Sequence, residues 1–172
     1  RADRGAWNRL EKAGCELIPN RSGRAYTESE LLDIIGDVDA IITGTDGMTA
    51  RVIEAARRLK VISKHGVGVD NIDLQAARQR GITVTVTPGV MDDSVADLTV
   101  ALVLNLARHV VAAHNATVQG RWNVVQGMEL KGKAAGIVGL GRIGKKVTLR
   151  LKAFGMRIIA FDPYPDEQFA KE

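Results

Sequence analysis

Residues 134–144, Ala134-Ala135-Gly136-Ile137-Val138-Gly139-Leu140-Gly141-Arg142-Ile143-Gly144, decide the fold. A short apolar run leads into a G-x-G-x-x-G pattern, after which Ile143, Val147, Leu151 and Phe154 recur at helical spacing on one face. A second apolar run, Arg157-Ile158-Ile159-Ala160-Phe161, ends on Asp162, 18 residues beyond Gly144. Strand, glycine turn, helix, strand and acid in this order make up the opening βαβ unit of a dinucleotide-binding sheet. The glycine pattern alone is weak. A glycine-tipped turn followed by an ordinary aspartate would look the same, and it is the flanking elements that favour a dinucleotide.

Each position has a physical task under that reading. Gly139 allows a tight turn out of the strand, and Gly141 lacks a Cβ, so that backbone N–H groups can approach a pyrophosphate. Gly144 lets the helix close onto the strand, with the positive end of its dipole aimed at the phosphates. Asp162 would accept hydrogen bonds from the adenosine ribose hydroxyls, which suits NAD.

Working back toward the N-terminus, a repeated unit of helix, glycine and short β-branched strand organises the first ninety or so residues. Residues 6–13 carry Trp7, Leu10 and Ala13 at helical spacing, Gly14 ends that helix, and Glu16-Leu17-Ile18 reads as a strand. Thr27-Glu28-Ser29-Glu30 has the form of a capping box opening a helix through Leu31, Leu32 and Ile35, closed by Gly36. Strand Ala40-Ile41-Ile42, a helix capped by Thr49, strand Val61-Ile62, a helix after Asp73 closed by Gly81, and strand Ile82-Thr83-Val84-Thr85-Val86 follow. Such alternation predicts an α/β fold with parallel strands covered on both faces. The chain opens inside its first helix, so the first strand of the sheet is expected to be missing.

Thr87-Pro88-Gly89 interrupts the pattern, and residues 94–113 then read as one long helix, apolar almost all round. A helix of that kind is expected to be buried between two domains, with the boundary near Val90: residues 1–90 and 91–172.

Composition narrows the function classes. Hydrophobic residues make up 45% and charged residues 26% of the 172, an ordinary globular balance. The net charge of +4 is spread among interspersed acids and bases, with small clusters at Arg57, Arg58 and Lys60 and at Lys131, Lys133, Lys145 and Lys146. Neither cluster is interleaved with aromatics, which argues against a nucleic-acid groove. The apolar run 98–107, between Asp97 and Arg108, is about half the ~20 residues of a membrane span. The single cysteine, Cys15, excludes an internal disulfide and reads as a small core residue, and a cytoplasmic location is expected.

A second glycine loop, Gly66-Val67-Gly68-Val69-Asp70-Asn71, also follows a strand but has Asn71 where a third glycine would stand. It suits exposure of successive N–H groups to a small anion such as a carboxylate, or equally a structural turn into the next helix. His65 flanks it, while His109 and His114 stand five apart on the long helix, which is not a metal-binding spacing. No metal site is expected.

Taken together, Gly66-Val67-Gly68-Val69-Asp70-Asn71-Ile72-Asp73, Thr87-Pro88-Gly89, Ser94-Val95-Ala96-Asp97, Gly120-Arg121-Trp122 and the 139–144 fingerprint with Asp162-Pro163-Tyr164 resemble the D-isomer-specific 2-hydroxyacid dehydrogenases, particularly the phosphoglycerate dehydrogenase group. The resemblance covers nearly the whole chain. It implies a flavodoxin-like substrate domain and the first part of a Rossmann NAD-binding domain, with a cleft between them. It also implies a homodimer, and hydride transfer between NAD and a D-2-hydroxy acid, with 3-phosphoglycerate one candidate. By resemblance, Gly66, Val67 and Gly68 meet the substrate carboxylate, Val67 also the nicotinamide side, and Arg142 and Ile143 line the pyrophosphate.

The Arg, Glu and His that do the family's chemistry match nothing up to Glu172, so no catalytic residue is assigned and the chain itself is expected to be inactive. Two positions depart from the pattern. Asp97 stands where many relatives have Glu, and Thr43-Gly44 replaces an Arg that phosphoglycerate dehydrogenases often carry, leaving Lys64 as a point-charge substitute. The alternative from another class is a dinucleotide-sensing corepressor of the same fold, which the Arg, Glu and His would distinguish.

Overall fold

The computed structural model describes residues 4–171 and divides into two compact units, one ending at Thr87 and the other starting at Pro88. The first unit contains helix α1 (Arg4–Lys12), α2 (Glu28–Ile34) continued by a 3-10 turn (Ile35–Asp37), strand β1 (Ala40–Thr43), α3 (Ala50–Ala55), β2 (Val61–Lys64), α4 (Leu74–Gln79) and β3 (Thr83–Thr85). Its strands form a parallel sheet in the order β1-β2-β3, with Ile41 opposite Ile62 and Ile62 opposite Val84. Leu31, Ile35, Met48, Val52, Ile53 and Ile62 lie at the centre of its core, each almost wholly buried.

Local chemistry places these helices. Thr49 and Asp73 accept the N–H groups of Val52 and Ala76, satisfying otherwise orphaned donors at the starts of α3 and α4. Gly14 and Gly81 take left-handed backbone angles after α1 and α4, as expected from the sequence. Gly36 does not: α2 tightens into the 3-10 turn instead, and the Val38 N–H closes it on the Ile35 carbonyl.

The reciprocal capping box at α2 is present, with Glu30 accepting from the Thr27 backbone and hydroxyl at 2.8 and 2.9 Å. Arg24 adds a two-pronged contact to the same carboxylate at 2.7 and 2.9 Å. Arg24 first, then Thr27, draws the Glu30 carboxyl from its ordinary 4.5 to about 2. A carboxyl depressed in the folded state contributes stability that is complete above the unfolded value and disappears as pH falls through the folded one. The melting-temperature gap between the wild type and Glu30→Gln is therefore expected to hold above pH 4.5 and to close between there and about pH 2, followed by circular dichroism. A gap independent of pH would remove the charge from the explanation.

Three expectations for this unit fail for physical reasons. Residues 15–20 form no ladder, because a strand exists only with a hydrogen-bonded neighbour and no strand among the described residues lies beside them. Cys15 is accordingly exposed, not packed. Cover is also one-sided at β1, where Thr43 is buried and Ile41 half-buried while Ile42 is 64% exposed.

The second unit contains α5 (Asp92–Arg108), α6 (Val110–Val118), β4 (Ala134–Val138), α7 (Arg142–Ala153), β5 (Arg157–Phe161) and α8 (Glu167–Lys171). β4 and β5 pair in parallel, with Ile137 opposite Ala160. Ala96 and Val100 of α5 meet Val147 and Leu151 of α7 in a small core. Lys146 and Arg150 reach from α7 to Asp93, and Arg150 also bonds Asp97 at 2.7 Å. The shorter acid at position 97 therefore has a local partner.

The long helix is broken, not continuous. His109 adopts a left-handed conformation (φ 53°), and α5 and α6 diverge by 66°. Nor is it buried all round: Leu98, Leu102 and Leu106 are 61, 54 and 73% exposed. No single helix among the described residues is long and apolar enough to cross a membrane; the bent pair meets the length and composition requirement only jointly.

Candidate nucleotide and anion sites

The turn between β4 and α7 is fixed by backbone contacts from β5 and beyond. Gly139 (φ 93°) donates its N–H to the Phe161 carbonyl at 2.8 Å, continuing the ladder past the end of β4. The Leu140 N–H donates to Asp162 Oδ2 at 2.7 Å, and the Tyr164 N–H donates to Oδ1 at 2.8 Å. Asp162 is thus pinned at the mouth of the glycine turn, with two of about four lone-pair positions still open.

The fingerprint glycines differ in what requires them. A Cβ on Gly144 would lie 2.1 Å from the Gly139 carbonyl oxygen, so close helix–strand packing excludes any side chain. A Cβ on Gly141 would meet no protein atom within 4 Å, and its backbone angles (φ −71°, ψ −163°) suit any residue. Nothing within the protein demands glycine there, and the space in front of the turn is open. Gly141 is also the N-cap of α7 and supplies no side-chain acceptor, so the first N–H groups of that helix, including Arg142 and Ile143, remain available to an anion. Arg142 is two-thirds exposed and pairs with buried Asp92 at 3.3 Å. These residues fit a dinucleotide pyrophosphate, with Asp162 placed to meet a ribose.

The second loop divides the residues that the sequence grouped together. Gly66 is buried at φ 137° and its N–H donates to the Thr87 hydroxyl at 3.0 Å, while its carbonyl accepts the Thr87 N–H at 2.9 Å. Gly66 is therefore a brace within the first unit. Val67 and Gly68 at the exposed tip have N–H groups bonded to no acceptor among the described residues.

Lys64 is buried beneath this loop. Its ammonium donates to the Gly44 carbonyl and, at 2.7 Å, to Asn71 Oδ1, and Asn71 in turn bonds the Asp46 carbonyl at 2.6 Å. Lys64 thus ties the β1 and β2 ends together and is not a free arm for a phosphate. Its contacts were illegible in the sequence, since Gly44 and Asn71 come together only once the sheet forms. His65 and His114 are exposed, and no cluster of metal-ligating residues occurs among the described residues.

Residues 2–160 match the family described as D-isomer specific 2-hydroxyacid dehydrogenase, catalytic domain. The chain belongs to that family. It is 40% identical over 166 residues to hydroxypyruvate reductase of Thermotoga maritima, covering 92% of this chain and 54% of that protein. It is 46% identical over 149 residues to D-3-phosphoglycerate dehydrogenase of Methanocaldococcus jannaschii, covering 84% of this chain and 28% of that one. The NAD+-bound crystal structure of 3-phosphoglycerate dehydrogenase from Entamoeba histolytica superposes with a TM-score of 0.80 at 31% identity, across 94% of this chain and 49% of that one. The chain therefore spans about half or less of these 2-hydroxyacid dehydrogenase relatives. Two sequence expectations hold: membership of this family and an α/β fold with parallel strands.

Proposed function

We propose that this chain supplies the dinucleotide-binding turn and the substrate-anion loop of an NAD-dependent D-2-hydroxyacid dehydrogenase. The observation that carries it is the β4–α7 turn: an uncapped helix N-terminus, open space before Gly141 and a pinned carboxylate at Asp162. Residues 1–90 act as the substrate domain and 91–172 as the start of the NAD-binding domain. Bound NAD would supply the hydride acceptor or donor for the substrate C2.

This chain's own residues bind and orient. The N–H groups of Arg142 and Ile143 and the Arg142 guanidinium hold the pyrophosphate, and Asp162 selects the ribose. Val67 and Gly68 direct their N–H groups at the substrate carboxylate, and Gly66, bonded to Thr87, holds that loop in shape. Lys64 fixes the loop's far end through Asn71. With Lys64 occupied and Thr43-Gly44 lacking a guanidinium, an unphosphorylated 2-hydroxy acid fits better than 3-phosphoglycerate.

Purified chain titrated with NAD is expected to bind it, and Gly141→Trp to abolish binding by filling the open space. Neither is expected to turn over NADH with 2-oxo acids, because no residue of 1–172 is assigned to the proton transfer that the reaction needs. Equal NAD binding by both proteins would refute the assignment of the turn. The apolar faces of α5 and α6 and exposed Trp122 support a two-fold dimer, which light scattering tests, and the lone Cys15 supports a cytoplasmic protein, which cell fractionation tests.

A further inference from the structure

Asp92 is the one buried carboxylate among the described residues. It is the first residue of α5, and burying a charge there costs solvation that an exposed acid in the same helical turn would not lose. Neighbouring Asp93 shows the contrast: it is 64% exposed and pairs with Lys146 and Arg150. The partner of Asp92 is Arg142, whose Nε lies 3.3 Å from Asp92 Oδ2. Fifty residues separate the two, and both belong to the second unit.

An independent observation places the same guanidinium. Gly89 has φ 85°, and a Cβ built on it would stand 2.7 Å from Arg142 Nη2 and 3.4 Å from Cζ. The Arg142 head therefore rests against bare backbone on one side and a carboxylate on another. A guanidinium has five donors in a rigid fork, so a contact on its Nε side leaves donors on the terminal nitrogens for a second anion.

The geometry points to Asp92 as the positioning residue for Arg142: with Gly89, it holds the guanidinium beside the β4–α7 turn, so that its terminal nitrogens meet the dinucleotide pyrophosphate. This rests on the dinucleotide reading of that turn. Its distinctive consequence is one of sign. Removing a negative charge close to an anion site should strengthen anion binding by Coulomb's law alone. Loss of a positioning residue weakens it, because the freed arginine must be ordered when the ligand binds.

The test is a titration of the whole chain with NAD, followed by nuclear magnetic resonance, for the wild type, Asp92→Ala, Arg142→Gln and the double variant. Adenosine, which has no phosphate, serves as the control ligand, and melting temperatures are recorded alongside. Asp92→Ala is expected to weaken NAD binding by about tenfold, the scale of one well-placed charge-assisted contact. It should leave adenosine binding unchanged and have no further effect on NAD once Arg142 is Gln. A role confined to the α5 terminus would instead persist in the Arg142→Gln background.

Asp92→Asn removes the charge while keeping the shape of the side chain, and covers the case in which Asp92→Ala fails to fold. It is expected to weaken NAD binding in the same Arg142-dependent way. NAD binding by Asp92→Ala that equals or exceeds the wild type, or a loss that persists without Arg142, would overturn the positioning role alone. Failure of the unmodified chain to bind NAD would overturn the dinucleotide reading and this inference with it.

Discussion

Gly144→Val is expected to remove measurable NAD binding and to lower the melting temperature of the second unit, whereas Gly141→Ala is expected to weaken binding with little change in melting. The two glycines stand three apart in one motif, yet the protein excludes a side chain only at Gly144. A Cβ at position 144 would fall 2.1 Å from the Gly139 carbonyl oxygen and 3.1 Å from its carbon. Both are backbone atoms, so relief requires α7 to move away from β4 or the turn to unwind. Overpacking of this kind costs about 1–3 kcal/mol where side chains can yield, and more is expected where backbone must.

Movement of α7 would also disturb the contacts of Val147 and Leu151 with α5 and detach the helix N-terminus from the turn it faces. Stability and binding should therefore fall together. At Gly141 the added methyl meets nothing within 4 Å, and the backbone is already in a region open to alanine. Only a ligand would meet that methyl. Thermal melts and NAD titrations of the two variants separate these causes. NAD binding unchanged in Gly141→Ala would show that the open space before Gly141 is not a binding surface.

The difference between what could and could not be read from the sequence follows from the range of the interactions. The Thr27–Glu30 capping box, the Thr49 and Asp73 caps and the Gly14 and Gly81 helix ends involve residues within a few positions of one another, and all were legible. The glycine turn was legible for the same reason, being a local backbone shape with residue requirements at fixed offsets. Residues 16–18 misled because the apolar pair Leu17-Ile18 after a helix-ending glycine says nothing about whether a neighbouring strand exists. The break at His109 carried no glycine or proline to announce it; Asn105, whose side chain accepts the Val111 N–H at 2.9 Å, helps to cap the new helix. Within the candidate sites, Gly66 with Thr87, Lys64 with Gly44, and Arg142 with Asp92 are pairings across 20 to 50 positions. Sequence patterns named the residue types at these places but not their partners.

NAD is expected to bind at least about tenfold more tightly than NADP, a difference of roughly 1.4 kcal/mol, with Asp162 as the cause. A carboxylate at the end of the second strand of such a unit accepts hydrogen bonds from a ribose 2′-hydroxyl, and a 2′-phosphate would bring like charge against it. The structure strengthens the case by showing that Asp162 cannot readily turn away. The Leu140 N–H holds one oxygen at 2.7 Å and the Tyr164 N–H the other at 2.8 Å, and Leu140 itself is buried. Swinging the side chain aside would leave the buried Leu140 N–H without its acceptor, a cost of about 1–3 kcal/mol. Nearby cations have other roles: the terminal nitrogens of Arg142, whose Nε pairs with Asp92, are assigned to the pyrophosphate, and Lys145 pairs with Asp166. No basic residue occurs among Pro163, Tyr164 and Pro165 to receive the extra phosphate. Asp162→Ala should weaken NAD binding, through both the ribose and the loosened Leu140 N–H, and should narrow the gap to NADP because the repulsion disappears. Asp162→Asn keeps an acceptor for Leu140 while removing the charge, so it should retain more NAD affinity than the alanine variant and narrow the gap similarly. Titrations of both cofactors against the three proteins decide the matter: equal wild-type affinities, or a preference unchanged in both variants, would place the selectivity outside Asp162.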